Sequence, residues 1–185
     1  MLAYFIFAFF GFIVVATFTS SMTLEHLKRE RADTLYKEAL LISDSYAADL
    51  YNSEITLESV WRQIEAIGTF VDASIWIVNP SGLVVLDSSA PPDIENPTTI
   101  PNFSPTITGS SFYTVGNFFG MFDEEMISAF APITSQYKVK GYVIIHASMK
   151  DLLKNSHAAS FSSQFFEIPY IFERESIAPF PSFVG

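Results

Sequence analysis

Residues 73–89 read ASIWIVNPSGLVVLDSS. Ile75, Ile77, Val84 and Leu86 alternate with neighbours that are themselves mostly apolar or aromatic, the pattern of two strands buried on both faces. Asn79, Pro80, Ser81 and Gly82 separate the two runs. Proline has its φ preset for the second place of a tight turn, and Gly82 supplies a positive φ that a β-branched residue resists. The stretch is therefore predicted to be a central β-hairpin whose turn sets the register. Such hairpins usually serve only as core. Its setting, between an N-terminal apolar segment and strands that complete the sheet much later, gives reason to look for a function.

Upstream, Leu2 to Thr19 contains no charged residue, and its Phe, Ile and Val residues leave no polar face. At about 1.5 Å per residue the run is just long enough to cross a hydrocarbon core of roughly 30 Å. Residues 1–22 are accordingly read as a transmembrane helix. A cleaved signal peptide fits less well, because no basic residue precedes the run and no small-x-small site precedes Met22. Lys28, Arg29 and Arg31 follow the span while nothing basic precedes it, which by the positive-inside rule would put the following domain in the cytoplasm; a basic segment upstream of Met1 would reverse this, so charge leaves the orientation open. From Thr23 to Asn52, Leu24, Leu27, Leu35, Ala39, Ile42, Tyr46 and Leu50 recur at three- and four-residue steps on a long helix. That stripe can pack on the domain's own sheet, or its membrane-proximal half can pair with a second copy as a homodimer. Thr56 is placed to cap a shorter helix carrying Leu57, Val60, Trp61, Ile64 and Ile67 on one face, with Gly68 as its stop.

Downstream, Ala90 to Ser110 holds Pro91, Pro92, Pro97, Pro101 and Pro105, half of the chain's 10 prolines, and is predicted to be an ordered excursion or a mobile lid. Strands are expected at Ser111 to Phe118, at Glu125 to Pro132 where proline ends the run, and at Lys140 to Ser148, with a turn around Gly120 between the first two. Five antiparallel strands result. Met149 to Lys154 reads as the start of an exit helix. From Ser156 no period is sustained, so residues 156–185 are expected to be an irregular tail with at most a short helix near Phe161 to Phe166.

Composition excludes several classes of function. With 49% hydrophobic residues and 19 Phe, the chain must bury a core, enter a membrane, or do both. A net charge of −10 with only 10 basic residues disfavours nucleic acid, whose affinity comes from Lys and Arg displacing counterions. Cysteine is absent, which removes disulfides and thiolate chemistry. His26, His146 and His157 lie in no metal-binding spacing, and there is no glycine-rich phosphate loop or nucleophile elbow. No cofactor is expected. Asp123, Glu124 and Glu125 form the densest acidic run, more often a solvated turn than a cation site, with Asp93 and Glu95 as further oxygen donors. Trp76, Asp87, Tyr113 and Tyr142 are the candidates for a ligand pocket, since they fall on or beside the sheet, where aromatic walls and one carboxylate can orient a small polar ligand. His146 in its strand reads as a satisfied sheet residue. No nucleophile, base and oxyanion donors assemble, so no catalytic residue is assigned.

The order of a membrane-length segment, a long helix, a shorter helix, the hairpin IWIVNPSGLVVLDSS, a loop-rich middle and the late run FYTVGNFFGMFDEEMISAFAPITSQYKVKGYVIIHASMKDL resembles the extracytoplasmic PAS-like, Cache-type sensor region of bacterial membrane sensor histidine kinases. The resemblance covers about Met1 to Lys154. It implies an α+β fold, a five-stranded antiparallel sheet flanked by helices over residues 23–155, and a two-component signalling role at the cell membrane with the globular part outside. It also implies a second span, a HAMP linker and a kinase core after the sheet. Here the tail follows instead, which suggests a truncated or frame-altered product without the catalytic core, and His157 lacks the acidic and basic neighbours of a phosphoacceptor box. The expected partners are membrane lipid through residues 2–19, a second copy through the long helix, and an unknown small ligand or ion. Readings of other classes are a membrane-anchored hydrolase using Asp87 or Asp123 with His146, a standalone binding protein, and a pilin-like structural protein assembled by its N-terminal helix.

Overall fold

A computed structural model describes residues 2–47, 56–93, 95–109 and 111–154, with the side chains of residues 2, 16, 19–21, 46 and 47 outside that description. Residues Met1–Leu152 make one compact unit. The predicted tail helix, Leu50 and His157 lie outside the described residues.

The element that governs the architecture is a single continuous helix, α1 (Leu2–Ile42), which passes into a π-helical turn at Ser43–Ala47. Its character changes along its length. Tyr4, Phe5, Phe7, Phe9, Phe10, Phe12 and Phe18 are each more than 60% exposed, whereas Ala32, Leu35, Ala39 and Ile42 are completely buried. The buried positions are spaced by three and four residues, one face of a helix, and α1 packs on strands β4 and β5 introduced below. The apolar stripe of the long helix is thus used by the chain's own sheet over its distal half. Leu24 and Leu27 are only half-buried. Among the described residues no helix is long and apolar enough to cross a membrane; the described side chains run unbroken only from Ala3 to Val15 in that part of α1.

Helix α2 (Leu57–Val71) starts where Thr56 was expected to cap it: the Thr56 Oγ1 accepts the Ser59 N–H at 3.3 Å. Val60 and Ile64 are its buried residues, with Gly68. Gly68, however, is not the stop. The helix runs on to Val71 and closes at Asp72, which takes the left-handed conformation (φ 51°), a place aspartate tolerates better than most residues. Gly68 serves a close approach instead, since a Cβ there would lie 2.8 Å from the Ala73 carbonyl oxygen. Arg31 of α1 donates to the Val71 carbonyl at 2.8 Å, tying the two helices together.

Five strands form one antiparallel sheet: β1 (Ser74–Val78), β2 (Val84–Asp87), β3 (Tyr113–Gly116), β4 (Met126–Ser135) and β5 (Lys138–Ser148), in the order β2-β1-β5-β4-β3. This is the α+β arrangement with a helix-flanked five-stranded sheet that the sequence implied. The hairpin of residues 73–89 is present, although only β1 is internal; β2 is an edge strand. The edge is covered by the proline-rich segment, where Val84 N–H donates to the Thr98 carbonyl and Ile100 N–H to that of Gly82, and Ile100 is 2% exposed. Ala90 to Ser110 is therefore an ordered excursion over its described part, with one 3-10 turn at Pro105–Thr108.

β4 does not end at Pro132 but continues to Ser135. The reason is positional. β3 pairs with β4 only from Met126 to Ala129, with Phe130 N–H reaching the Phe112 carbonyl, so beyond that point the β3 side of β4 is open and a missing N–H there breaks no ladder bond. The Pro132 carbonyl accepts the Ser43 hydroxyl at 2.8 Å. Likewise β3 is four residues, shorter than the predicted Ser111 to Phe118, because the chain turns left-handed at Phe118 and Phe119.

Candidate functional site

Alternation along the strands sorts the sheet into two faces. Ile75, Ile77, Ile127, Ala129, Val143 and Ile145 fall on one, all fully buried. Trp76 and Val78 of β1, Tyr142, Ile144 and His146 of β5, and Ser128 and Phe130 of β4 fall on the other. The second face is covered by loops. Trp76, Val78, Val84, Ile100, Phe118, Phe130 and Ile144 form a buried cluster there, joined by the half-buried Phe103, Phe119, Met121, Phe122 and Tyr142.

His146 stands within this aromatic layer, completely buried. Its ring centroid lies 4.7 Å from that of Trp76, 4.4 Å from Phe118 and 4.9 Å from Phe122. Nδ1 is paired with the Ser128 hydroxyl at 2.8 Å, across the Ser128/His146 register pair of β4 and β5. Among the described residues Nε2 has no hydrogen-bond partner, and neither does the buried Nε1 of Trp76. Burial alone pushes the imidazole from 6.5 down to about 3, so His146 is neutral at physiological pH. Buried polar atoms without partners are uncommon and cost free energy, so two of them on neighbouring rings make this face the candidate site. The sequence reading of His146 as a satisfied strand residue holds only for Nδ1, since Nε2 has no partner among the described residues. The signal was the placement of a histidine two positions after Ile144 on the face shared with Trp76.

The four predicted pocket residues divide. Trp76 is 6% exposed and lies on this face, and Tyr142 joins it, its ring 6.0 Å from Phe103. Asp87 is the register partner of Trp76, but its Oδ1 accepts the Ser89 N–H at 2.8 Å in a local turn. Tyr113 is elsewhere: it sits on edge strand β3 and lines a cleft of about 760 Å³ with His26, Arg29, Glu30, Asp33 and Phe112. Asp123, Glu124 and Glu125 are exposed in the turn before β4, and among the described residues no three acidic or histidine groups converge to hold a metal. The carboxylate and histidine of the hydrolase reading do not meet in any hydrogen bond among the described residues, since His146 is bonded to Ser128. A second cleft, of about 320 Å³, opens at the end of the sheet between α2 and β5, lined by Gly68, Asp72, Ser74, Ser88, Met126, His146 and Ser148 among others.

No family model matches the chain, and no curated protein matches it. Solved structures do match, and those compared are of one class, sensory or ligand-binding domains of bacterial receptors and kinases. The ligand-binding domain of the Campylobacter jejuni chemoreceptor Tlp3 in complex with 4-methylisoleucine is 15% identical, with 72% of this chain and 62% of that one covered and a TM-score of 0.46. For the sensory domain of the same chemoreceptor the values are 14%, 75%, 65% and 0.48, and for the sensor domain of the V. cholerae histidine kinase DctB they are 12%, 75%, 60% and 0.45. The chain spans slightly less than two thirds of the length of these domains.

Proposed function

We propose that this chain is the signal-sensing, small-ligand-binding region of a membrane-tethered sensor, of the kind that precedes the kinase core in bacterial two-component systems, with its sheet domain outside the cytoplasm. The observation that carries the reading is the division of α1. One unbroken helix is exposed and apolar around its whole circumference at its N-terminal end and buried against β4 and β5 at the other. Large apolar side chains exposed on every side have no reason to persist in water, and a lipid phase gives them one. In this reading the uncharged run Leu2 to Thr19 enters that lipid phase, and the same helix then couples sheet to membrane without a joint. A ligand that binds two arrangements of sheet and helix unequally shifts their populations, and α1 carries the difference as a translation or rotation. A second copy would pair along the faces of α1 that its own sheet leaves open.

The test uses the chain's lack of cysteine. Tyr137, fully exposed in the turn between β4 and β5, is replaced by cysteine as the single thiol of the full chain. In spheroplasts, a membrane-impermeant maleimide is expected to label Tyr137→Cys before lysis, with the protein in the membrane fraction after a carbonate wash. Labelling only after lysis, or recovery in the soluble fraction, overturns the proposal.

A further inference from the structure

The loop between β3 and β4 carries four large side chains, Phe118, Phe119, Met121 and Phe122, onto the sheet face that holds Trp76 and His146. It does so at a conformational cost. Phe118 (φ 45°) and Phe119 (φ 55°) are consecutive left-handed residues, followed by Gly120 (φ 78°), and such backbone is disfavoured for any residue with a Cβ. The loop closes on itself, through the Met121 N–H to the Phe118 carbonyl and the Phe122 N–H to the Asn117 carbonyl. Its ties to the sheet are ring contacts: Phe118 lies 5.9 Å from Trp76 and 5.7 Å from Phe130, and Phe122 stacks on Trp76 at 5.4 Å. Ring contacts can be exchanged for those of another ring without breaking the sheet's ladder. The rings of Phe118 and Phe122 rest against those of Trp76 and His146, whose Nε1 and Nε2 have no partner among the described residues.

We infer that residues 117–122 are a displaceable plug, and that the ligand which displaces it is a neutral, ring-sized apolar molecule carrying one hydrogen-bonding oxygen, received by Trp76 Nε1 and His146 Nε2. This deepens the sensor reading and rests on it. The ring-sized body follows from what leaves: the side chains of Phe118 and Phe122, between walls made by Trp76, Phe130 and Ile144. The oxygen follows from Trp76, whose indole N–H can only donate; with the Ser128 hydroxyl donating to Nδ1, His146 carries its proton on Nε2 and donates to the same oxygen. Neutrality follows from the lining, since the cluster contains no Lys, Arg, Asp or Glu to balance an ion held there, and an unbalanced buried charge is expensive. Occupation by the plug lowers the apparent affinity by the fraction of molecules in which the face is open, so weakening the plug tightens binding.

The two tryptophans make the test internal. Trp61 Nε1 donates to the Asp87 carbonyl at 3.1 Å, whereas Trp76 Nε1 is free, so their indole signals report a bonded and an unbonded group in the same molecule. The full chain, labelled with 15N-tryptophan in detergent micelles, is titrated with acetophenone, with ethylbenzene, which lacks the oxygen, and with phenylacetate, which is charged. Acetophenone is expected to shift the Trp76 signal saturably and leave Trp61 in place, and ethylbenzene and phenylacetate to bind at least about tenfold more weakly. Phe118→Ala should lower the acetophenone Kd by about tenfold or more, and the milder Phe118→Leu, which keeps a core side chain, should act in the same direction. Equal binding of ethylbenzene and acetophenone, or an unchanged Kd in both Phe118 variants, overturns the inference. If phenylacetate or an amine such as benzylamine moves Trp76 where acetophenone does not, the neutral ligand class is wrong while the sensor reading stands. If Tyr137→Cys fails its labelling test, it is the sensor reading that falls.

Discussion

Lowering the pH should destabilise this fold through His146, and the size of the effect can be worked from its burial. The imidazole is neutral in the folded chain, its pKa pushed from 6.5 down to about 3 by desolvation, and it protonates freely once unfolded. Between those values the unfolded state binds the extra proton, so stability rises with pH across the window and is lost as pH falls from 6.5 towards 3. At roughly 1.36 kcal/mol per unit the full window corresponds to about 5 kcal/mol as an upper bound, of which roughly half is lost by pH ~4.5. Urea denaturation of the full chain in micelles, followed by circular dichroism at pH ~7.5 and ~4.5, measures the difference. The control is the double variant Ser128→Ala, His146→Leu, which removes the titrating ring together with the hydroxyl that it would leave unpaired. Every other ionisable group is common to the two proteins, so the wild type should lose about 2–3 kcal/mol more than the variant over that range. Equal losses in the two would refute the assignment of His146 as a neutral, unrelieved buried base.

Three further outcomes follow from the local geometry. Asn79→Ala removes an oxygen that accepts from the Ser81 N–H, the Ser81 hydroxyl and the Leu83 N–H at 2.8–3.0 Å, and should cost about 1–3 kcal/mol in the same denaturation assay. Gly82→Ala puts a Cβ 2.6 Å from that of Phe103 at φ +89°; the expected result is a loss of at least about 1–3 kcal/mol, with the Phe103 contacts disturbed in aromatic NMR signals. In the β4–β5 turn, Gln136 (φ 51°) and Tyr137 (φ 60°) occupy the two left-handed places of a two-residue hairpin loop, so the double replacement Gln136→Asn, Tyr137→Gly should raise the stability by about 1 kcal/mol, read as a higher Tm.

Where local chemistry and tertiary demand agree, the fold was legible in the sequence. The apolar runs in residues 73–89 and 140–148 marked β1, β2 and β5, because strands buried on both faces take mostly apolar residues. Thr56 marked the start of α2 because its hydroxyl has one obvious use. Pro132 misled because its cost depends on which neighbouring strand reaches that point, and β3 stops short of it. Gly68 misled because the same absence of a Cβ serves either a helix end or a close approach, and only the position of the Ala73 carbonyl decides. Of the four candidate pocket residues, alternation placed Trp76 and Tyr142 on one sheet face, where they lie together, but Tyr113 has an edge-strand position that no local pattern announces. His146 looked like a satisfied strand residue because the absence of a partner for Nε2 is a property of everything packed around it: Trp76 arrives from β1, and Phe118 and Phe122 from the loop between β3 and β4.

The claim on which the account turns is that the sheet face away from α1 receives a small molecule. Screening a set of small metabolites against the 15N-tryptophan-labelled full chain tests it most directly. The account predicts at least one compound that shifts the Trp76 indole signal saturably, leaves that of Trp61 in place, and raises the Tm. If every compound that raises the Tm leaves Trp76 unmoved and binds instead in the cleft beside Tyr113, the face is plain core and the account is contradicted.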